Sequence, residues 1–136
     1  MKYSQFVLAG FAALLFIIGS IGCGAGHPNL TSVTVSPQMA VTTSSPQGQV
    51  GFSAMGFFSN HTSRELSQAD GLSWQTSPTS SGTAAATIGS TGEATCSAPG
   101  TVTVTASAPQ NLQLTVNNGI QNTSPKVTGT ATLTCQ

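Results

Sequence analysis

Three cysteines, two histidines and three carboxylates are the residues of this chain whose chemistry could drive a reaction or hold a metal. The cysteines stand at positions 23, 96 and 135 and the histidines at 27 and 61. Structural zinc sites gather four Cys or His ligands. A site on Cys96 and Cys135 lacks nearby ligands, because the only histidines are His27, beside Cys23, and His61, inside a polar stretch, and neither clusters with the pair in sequence. A glycosidase needs two carboxylates held across a cleft. Glu65 and Asp70 share one polar stretch with no visible means of perturbing either pKa, and Glu93 stands apart. The nearest approach to the Gly-x-Ser-x-Gly turn of serine hydrolases is Gly51-Phe52-Ser53-Ala54-Met55, which lies inside an alternating run. There is no phosphate-cradling Gly-rich motif with a lysine and no histidine pair at helical spacing. His61 and Ser63 are neighbours in sequence only, whereas a catalytic triad is a matter of geometry. The expectation is a protein that is not an enzyme and uses neither metal nor cofactor.

The elements that would position these residues are short alternating runs separated by turn residues. In Leu30-Thr31-Ser32-Val33-Thr34-Val35, closed by Ser36-Pro37, Val33 and Val35 share one face. Val50, Phe52 and Ala54 alternate with Gln49, Gly51 and Ser53. Met55-Gly56-Phe57-Phe58 then breaks the alternation, as a bulge or a strand changing sheets would; Phe57 and Phe58 could form an exposed patch, but are expected in the core beside the bulge because aromatics are usually buried. Ser59 to Gly71 reads as a polar loop. Leu72 and Trp74 share a face before Thr76-Ser77-Pro78. Ala86-Thr87-Ile88 and Ala94-Thr95-Cys96 flank a turn at Gly89-Ser90-Thr91-Gly92. After Ala98-Pro99-Gly100 comes the cleanest strand, Thr101 to Ala106, with Val102 and Val104 on one face. The final strand, Lys126 to Cys135, points its threonines outward and Val127, Ala131, Leu133 and Cys135 inward. Regular short strands with turn signals between them predict an all-β sandwich. Its core is expected to hold Val33, Val35, Phe52, Trp74, Val102, Val104 and Leu133.

The N-terminus reads as an address. Lys2, an apolar run from Phe6 to Ile18 and the small residues before Cys23 have the form of a secretory signal. The segment resembles a bacterial lipoprotein signal, whose lipobox ends in a small residue followed by the cysteine that becomes the lipidated N-terminus. Gly22-Cys23 carries that resemblance, with Ser20 where leucine is commonest. Two other readings stand beside it: a secretory signal cut elsewhere, which leaves Cys23 as a free thiol, and an uncleaved anchor. The anchor falls short of the roughly 20 apolar residues that span a bilayer, and a Gly-rich run follows it in place of a basic flank. Each reading puts the body outside the cytoplasm. Residues 1–22 are then a signal peptide, 23–29 an anchor linker and 30–136 a single domain of ordinary length.

An odd cysteine in an exported protein calls for an explanation. Lipidation of Cys23 supplies one and leaves Cys96 and Cys135 as a disulfide pair in an oxidising space. Both follow an inward residue by two positions, Ala94 and Leu133, so both sulfurs should point into the core. Beyond the signal, Arg64 and Lys126 stand against Glu65, Asp70 and Glu93. So few charges exclude an electrostatic footprint for nucleic acid or anionic headgroups. Solubility must come from hydroxyls and amides.

Five pieces in order look like a bacterial Ig-like domain of group 2 type: Val33 to Pro37, Val50 to Ala54, Leu72 to Ser77, Ala86-Thr87-Ile88 with Gly92, and Gly100 to Ala106. The resemblance runs from Leu30 to Cys135. It implies an Ig-like β-sandwich of about seven strands centred on Trp74, which on the separate reading of the N-terminus is preceded by a cleaved signal helix. The Ser107 to Pro125 segment is longer than the hairpin usual in that family, and the cysteine pair is not part of its basic pattern. Leu112 to Val116 alternates and could add a strand; the segment is either an edge hairpin or a binding loop.

Three non-catalytic roles follow as expectations. The first is a lipid-anchored surface module for structural, adhesive or protein-interaction purposes, with an unidentified protein or cell-wall partner. The second is an accessory subunit of an envelope or secretion complex, docked through a sheet edge. The third is a carbohydrate-binding module, against which Trp74 counts as long as it is core. Gly24 follows Cys23 where lipoproteins of two-membrane bacteria generally carry aspartate for inner-membrane retention, so the resemblance to a lipoprotein signal implies the outer membrane or cell surface if the cell has an outer membrane. The Asn29, Asn60 and Asn122 triplets match a glycosylation pattern but are expected by chance in a chain rich in Asn, Ser and Thr.

Overall fold

The computed structural model describes residues 27–77, 84–112 and 122–136. The signal segment, Cys23 and most of the Leu112 to Val116 run lie outside the described residues. Among the described residues ten strands follow in order: β1 (Leu30–Ser36), β2 (Met39–Thr42), β3 (Gln49–Gly51), β4 (Ser53–Phe58), β5 (Ser63–Glu65), β6 (Ser73–Thr76), β7 (Ala86–Ile88), β8 (Glu93–Cys96), β9 (Gly100–Pro109) and β10 (Lys126–Cys135). The only helical element among the described residues is one 3-10 turn, Gln68–Asp70. None of their helices is long and apolar enough to cross a membrane.

One layer is a four-stranded sheet in the order β2-β10-β9-β6. The other consists of two three-stranded sheets, β1-β4-β5 and β3-β8-β7. The chain is an all-β sandwich, and its strand order accounts for the ten strands. In an immunoglobulin-type sandwich, strands A, B, E and D form one layer and C, F and G the other. Here β1, the β3–β4 pair, β8 and β7 take the first set of places, and β6, β9 and β10 take the second. The extra count comes from a B strand split in two, a short β2 laid parallel on β10, and β5.

The long β9–β10 hairpin is the backbone of the fold, paired without interruption from Lys126↔Pro109 to Cys135↔Gly100. Its period of two sends Val102, Val104, Ala106, Ala108, Ala131, Leu133 and Cys135 into the core. Outward, Thr134 faces Thr101, Thr132 faces Thr103, Thr130 faces Thr105 and Thr128 faces Ser107. β-branched hydroxyls suit a pleated surface and hydrate well, which explains how a chain with so little charge presents a wet face.

Three expectations change. The alternation does not break at Met55: Ala54, Gly56 and Phe58 all point inward along β4. Gly56 fills an inward position where a Cβ would stand 2.8 Å from Leu30 Cδ1 and Leu66 Cδ2. What looked like a broken pattern is a position with no room for a side chain. Consequently Phe58 is buried, whereas Phe57 lies on the outer face with Met55, each 40% exposed. The change of sheets does occur, but earlier, at Phe52.

Second, Ser59 to Gly71 is not simply a polar loop, for it contains β5, the 3-10 turn and the buried Leu66. Third, Trp74 is not the centre of the core. It is half-buried and packs against the core's edge. The centre is made of small and branched residues, with Leu30, Val35, Val102, Val104, Leu133 and Cys96 the largest fully buried side chains. Val33 and Phe52 are also buried. Two of the asparagine triplets have a local structural use. Asn60 Oδ1 accepts from the Thr62 N–H, and Asn122 Oδ1 accepts from the Ser124 N–H, at 3.2 and 3.0 Å.

Cys96 and Cys135 form a disulfide between β8 and β10, with Cα atoms 5.7 Å apart, within the ordinary range. It joins the two layers at the end of the sandwich away from Leu30. The sulfurs sit in the core, so the bridge also fills volume. Closing a loop of 39 residues stabilises the fold by about 4 kcal/mol on chain entropy alone. Denatured, unreduced protein is therefore expected to show no alkylation at Cys96 or Cys135 by peptide mass spectrometry. A Cys96→Ser, Cys135→Ser double variant is expected to keep its β-sheet circular dichroism but lose about 2–4 kcal/mol of stability. Alkylation of both cysteines without reduction would contradict the bridge.

Candidate functional site

The split of the second layer leaves an opening on one flank of the sandwich. The inward face of the chain is continuous from Val50 to Phe58, but its partner changes from β8 to β5. Gly51 pairs with Glu93 on β8, whereas Met55 pairs with Glu65 on β5. At the changeover, Phe52 N–H donates to the Gly92 carbonyl and Leu66 N–H donates to the Ala54 carbonyl, both at 2.8 Å. Between the β7–β8 turn and the segment after β5 lies a groove of about 430 Å³. Leu66, Leu72 and Trp74 supply its apolar lining, and Glu65, Ser67, Gln68, Ser90 and Thr91 its polar lining.

Trp74 sits on β6, at the end of the four-stranded sheet, opposite Ala106. Gly92 determines how it lies. With φ at +85°, Gly92 adopts a left-handed conformation, and a Cβ there would stand 2.3 Å from the Phe52 carbonyl oxygen and 3.2 Å from the Trp74 benzo ring. Only glycine permits both the turn and that close approach. The Gly89 N–H donates to the Glu93 carbonyl and the Gly92 N–H to the Gly89 carbonyl, at 2.8 and 3.0 Å, which holds Ser90 and Thr91 on the opposite rim.

The near rim is fastened by an ion pair. Arg64 Nη1 and Nη2 donate to Asp70 Oδ2 and Oδ1 at 2.9 and 2.5 Å, a two-pronged geometry that adds direction to charge. The Ser67 N–H and hydroxyl both donate to Asp70 Oδ2, at 2.9 and 3.0 Å. Asp70 thereby pins both ends of the turn carrying Gln68 and Ala69. Arg64 also lies over the Phe58 ring, 5.4 Å from its centroid. The hydrogen bond from the Arg64 guanidinium acts most strongly on the Asp70 carboxyl; burial opposes it, the two Ser67 donors reinforce it by smaller amounts, and the carboxyl is held down to about 2. The sequence alone offered no means of perturbing this pKa; the fold supplies three. A Ser-x-x-Asp spacing at Ser67 is the signal that could have identified the turn.

A second, smaller cavity of about 260 Å³ lies at the end where β1 begins, lined by His27, Pro28, Phe58, Thr62, Ser63, Arg64 and Leu112. His61 and Ser63 are not joined by any hydrogen bond; Ser63 is on β5 and His61 in the preceding turn, at φ +64°. Among the described residues no group of three or more His, Cys, Asp and Glu side chains comes together to hold a metal. Glu93 is exposed beside the β7–β8 turn, and neither Asp70 nor Glu93 lines the groove with Glu65. No protein-family model matches this chain, and no curated protein matches it significantly.

Arg64 is half exposed while the Asp70 side chain is 14% exposed, so solvent screening limits the pair to about 1 kcal/mol. Because the folded carboxyl is depressed from 3.8 to about 2, its contribution is fully present above pH 3.8 and is lost as pH falls towards 2. Asp70→Asn is expected to lower the melting temperature at pH 6 and to leave it close to that of the unaltered protein at pH 2. An equal deficit at both values would show that the pair's charge has no part in stability.

Proposed function

We propose that this chain is a lipid-anchored, non-catalytic module of the bacterial cell envelope, of the group 2 Ig-like kind, which presents a sandwich surface to a partner. The observation that carries this reading is the combination of the lipobox-like Gly22-Cys23 with an immunoglobulin-type strand order in the body. Reading Cys23 as the lipidated residue also orients the domain. Asn29 enters β1 six residues after Cys23, a linker that extends to about 20 Å at most. The Ser59 N–H donates to the Asn29 carbonyl, the Leu30 N–H to the Gln110 carbonyl and the Gln110 N–H to the Pro125 carbonyl, at 2.9, 2.8 and 2.7 Å. The described parts of the 59–62 and 107–125 connections therefore share the end from which the linker leaves. On this reading that end faces the membrane. The flanks and the opposite end, where Thr43 to Gly48 and Ala98-Pro99 turn, face outward.

Replacing Cys23 with Ser is expected to abolish fatty-acid labelling and to release the protein from membranes or stall its processing. Retained labelling would defeat the lipoprotein reading, and a fractionation of labelled cells tests the outer-membrane placement at the same time.

A second reading, an accessory subunit docked by strand addition, is favoured by β2. This strand ends its sheet, and Met39 and Val41 are 80% and 61% exposed on it. Natural edge strands are usually guarded by charge, proline or cover, and β2 itself carries no charge. Met39→Lys, Val41→Lys is expected to remove any stable complex recovered by crosslinking in the native envelope without altering the melting temperature. Unchanged crosslinked species would set this reading aside.

A further inference from the structure

We propose that the Trp74 groove is a binding site for a neutral pyranose saccharide chain, with Trp74 as the stacking surface. This deepens the non-catalytic reading by naming the chemistry of a partner, and it does not depend on the anchor.

The argument starts from the composition of the lining. A pyranose ring is apolar along its C–H faces and polar at its rim, so its site needs an aromatic face and several hydroxyl, amide or carboxylate partners within reach. The groove places Trp74 among Glu65, Gln68, Ser90 and Thr91. An aliphatic ligand would leave these polar groups without partners, at a cost in desolvation. The groove's volume, about 430 Å³, falls in the range of small-molecule sites.

Charge narrows the class. Glu65 is the only charged residue lining the groove among the described residues. The nearest guanidinium, Arg64, is engaged fork to fork with Asp70. An acidic saccharide would meet a carboxylate and no free cation, so the site selects neutral chains.

Preorganisation supports binding rather than mere exposure. The Trp74 benzo ring lies against Gly92, the Gln68 rim is held by Asp70, and the Ser90-Thr91 rim is held by the Gly89–Glu93 and Gly92–Gly89 hydrogen bonds. Groups already fixed in place lose little freedom on binding. The groove also opens on a flank of the sandwich, between the β7–β8 turn and the segment after β5, where an extended ligand can lie along it.

Trp74 is the only tryptophan in the chain, so its emission reports this groove alone. The test titrates full-length protein in detergent micelles with cellohexaose and, separately, with chitohexaose; hexagalacturonate is the acidic counterpart. A saturable change in emission at about millimolar concentration is expected with at least one neutral hexamer and none with the acidic one. A response to chitohexaose identifies an N-acetylhexosamine chain of the wall type, and a response to cellohexaose a hexose polymer. Gln68→Ala, Thr91→Ala is expected to weaken binding about ten-fold with an unchanged melting temperature. Trp74→Phe, followed by calorimetry, is expected to weaken it while keeping the fold.

No response to either neutral hexamer, an equal response to hexagalacturonate, or unaltered affinity in the Gln68→Ala, Thr91→Ala variant would overturn the proposal. The hexamer is recovered after incubation to measure its length. Intact chains support binding without catalysis; shortened chains would defeat the non-catalytic reading while leaving the saccharide site in place.

Discussion

One stretch of chain, Gln49 to Phe58, serves two sheets, and the rest of the molecule is arranged around that division. Its inward face is continuous, with Val50, Phe52, Ala54, Gly56 and Phe58 all directed at the core or its edge. Its hydrogen-bonding edge is not, because β8 occupies the first part and β5 the second. The core therefore closes without interruption while the outer layer opens. An alternating strand can do this because side-chain direction and edge pairing are separate properties of a pleated backbone. The groove is the space left where one partner has ended and the next has begun. Its rims are the two connections that the change of partner makes necessary.

The core that this division has to hold together is thin. Alanines at 54, 85, 86, 94, 106, 108 and 131 are all buried, and Gly56 takes an inward position that Leu30 and Leu66 fill from the sides. Small residues bring the layers close and preserve dispersion contacts, but each buries little apolar area, at about 25 cal/mol per Å². A domain of this size stabilised by such a core gains much from one covalent link between layers. That accounts for a disulfide whose two cysteines sit at inward positions, contributing both packing and constraint.

The parts of this structure legible in the sequence are those governed by period two. β1, β7, β8, β9 and β10 each show inward Val, Ile, Leu, Ala or Cys against outward Thr or Ser, and the turn residues between them mark their limits. Other elements lacked that signal. β5 is Ser63-Arg64-Glu65, exposed along its whole length, so nothing in its composition separates it from a loop; only β4 makes it a strand. β2 is four residues long and borrows its order from β10. At Gly56 the period was intact, but the residue marking it has no side chain, and the reading put Phe57 on the wrong face. The place of Trp74 at the centre is what the resemblance to Ig-like domains implies, and the structure departs from it. With the centre occupied by alanines and valines, the indole fits only at the margin. The groove could not be read at all. Its polar lining comes from two connections about 25 residues apart in sequence, which only the change of partner at Phe52 brings to face each other.

The same margin explains why an ion pair sits where it does. A half-buried tryptophan at the edge of a thin core is exposed to water on its open side, and the loop beside it would be free to collapse over it or swing away. The Arg64–Asp70 pair, with Ser67 as a third partner, removes both freedoms. It fixes the turn by hydrogen bonds whose directions are set by β5, itself tied to β4. Arg64 stacks on Phe58 at the same time, so the fastening reaches from the groove's rim to the inward face of the dividing strand. A charged pair worth little as a surface interaction is thereby placed where geometry matters more than energy. It ties a short polar turn beside an aromatic ring to β5 by directed hydrogen bonds.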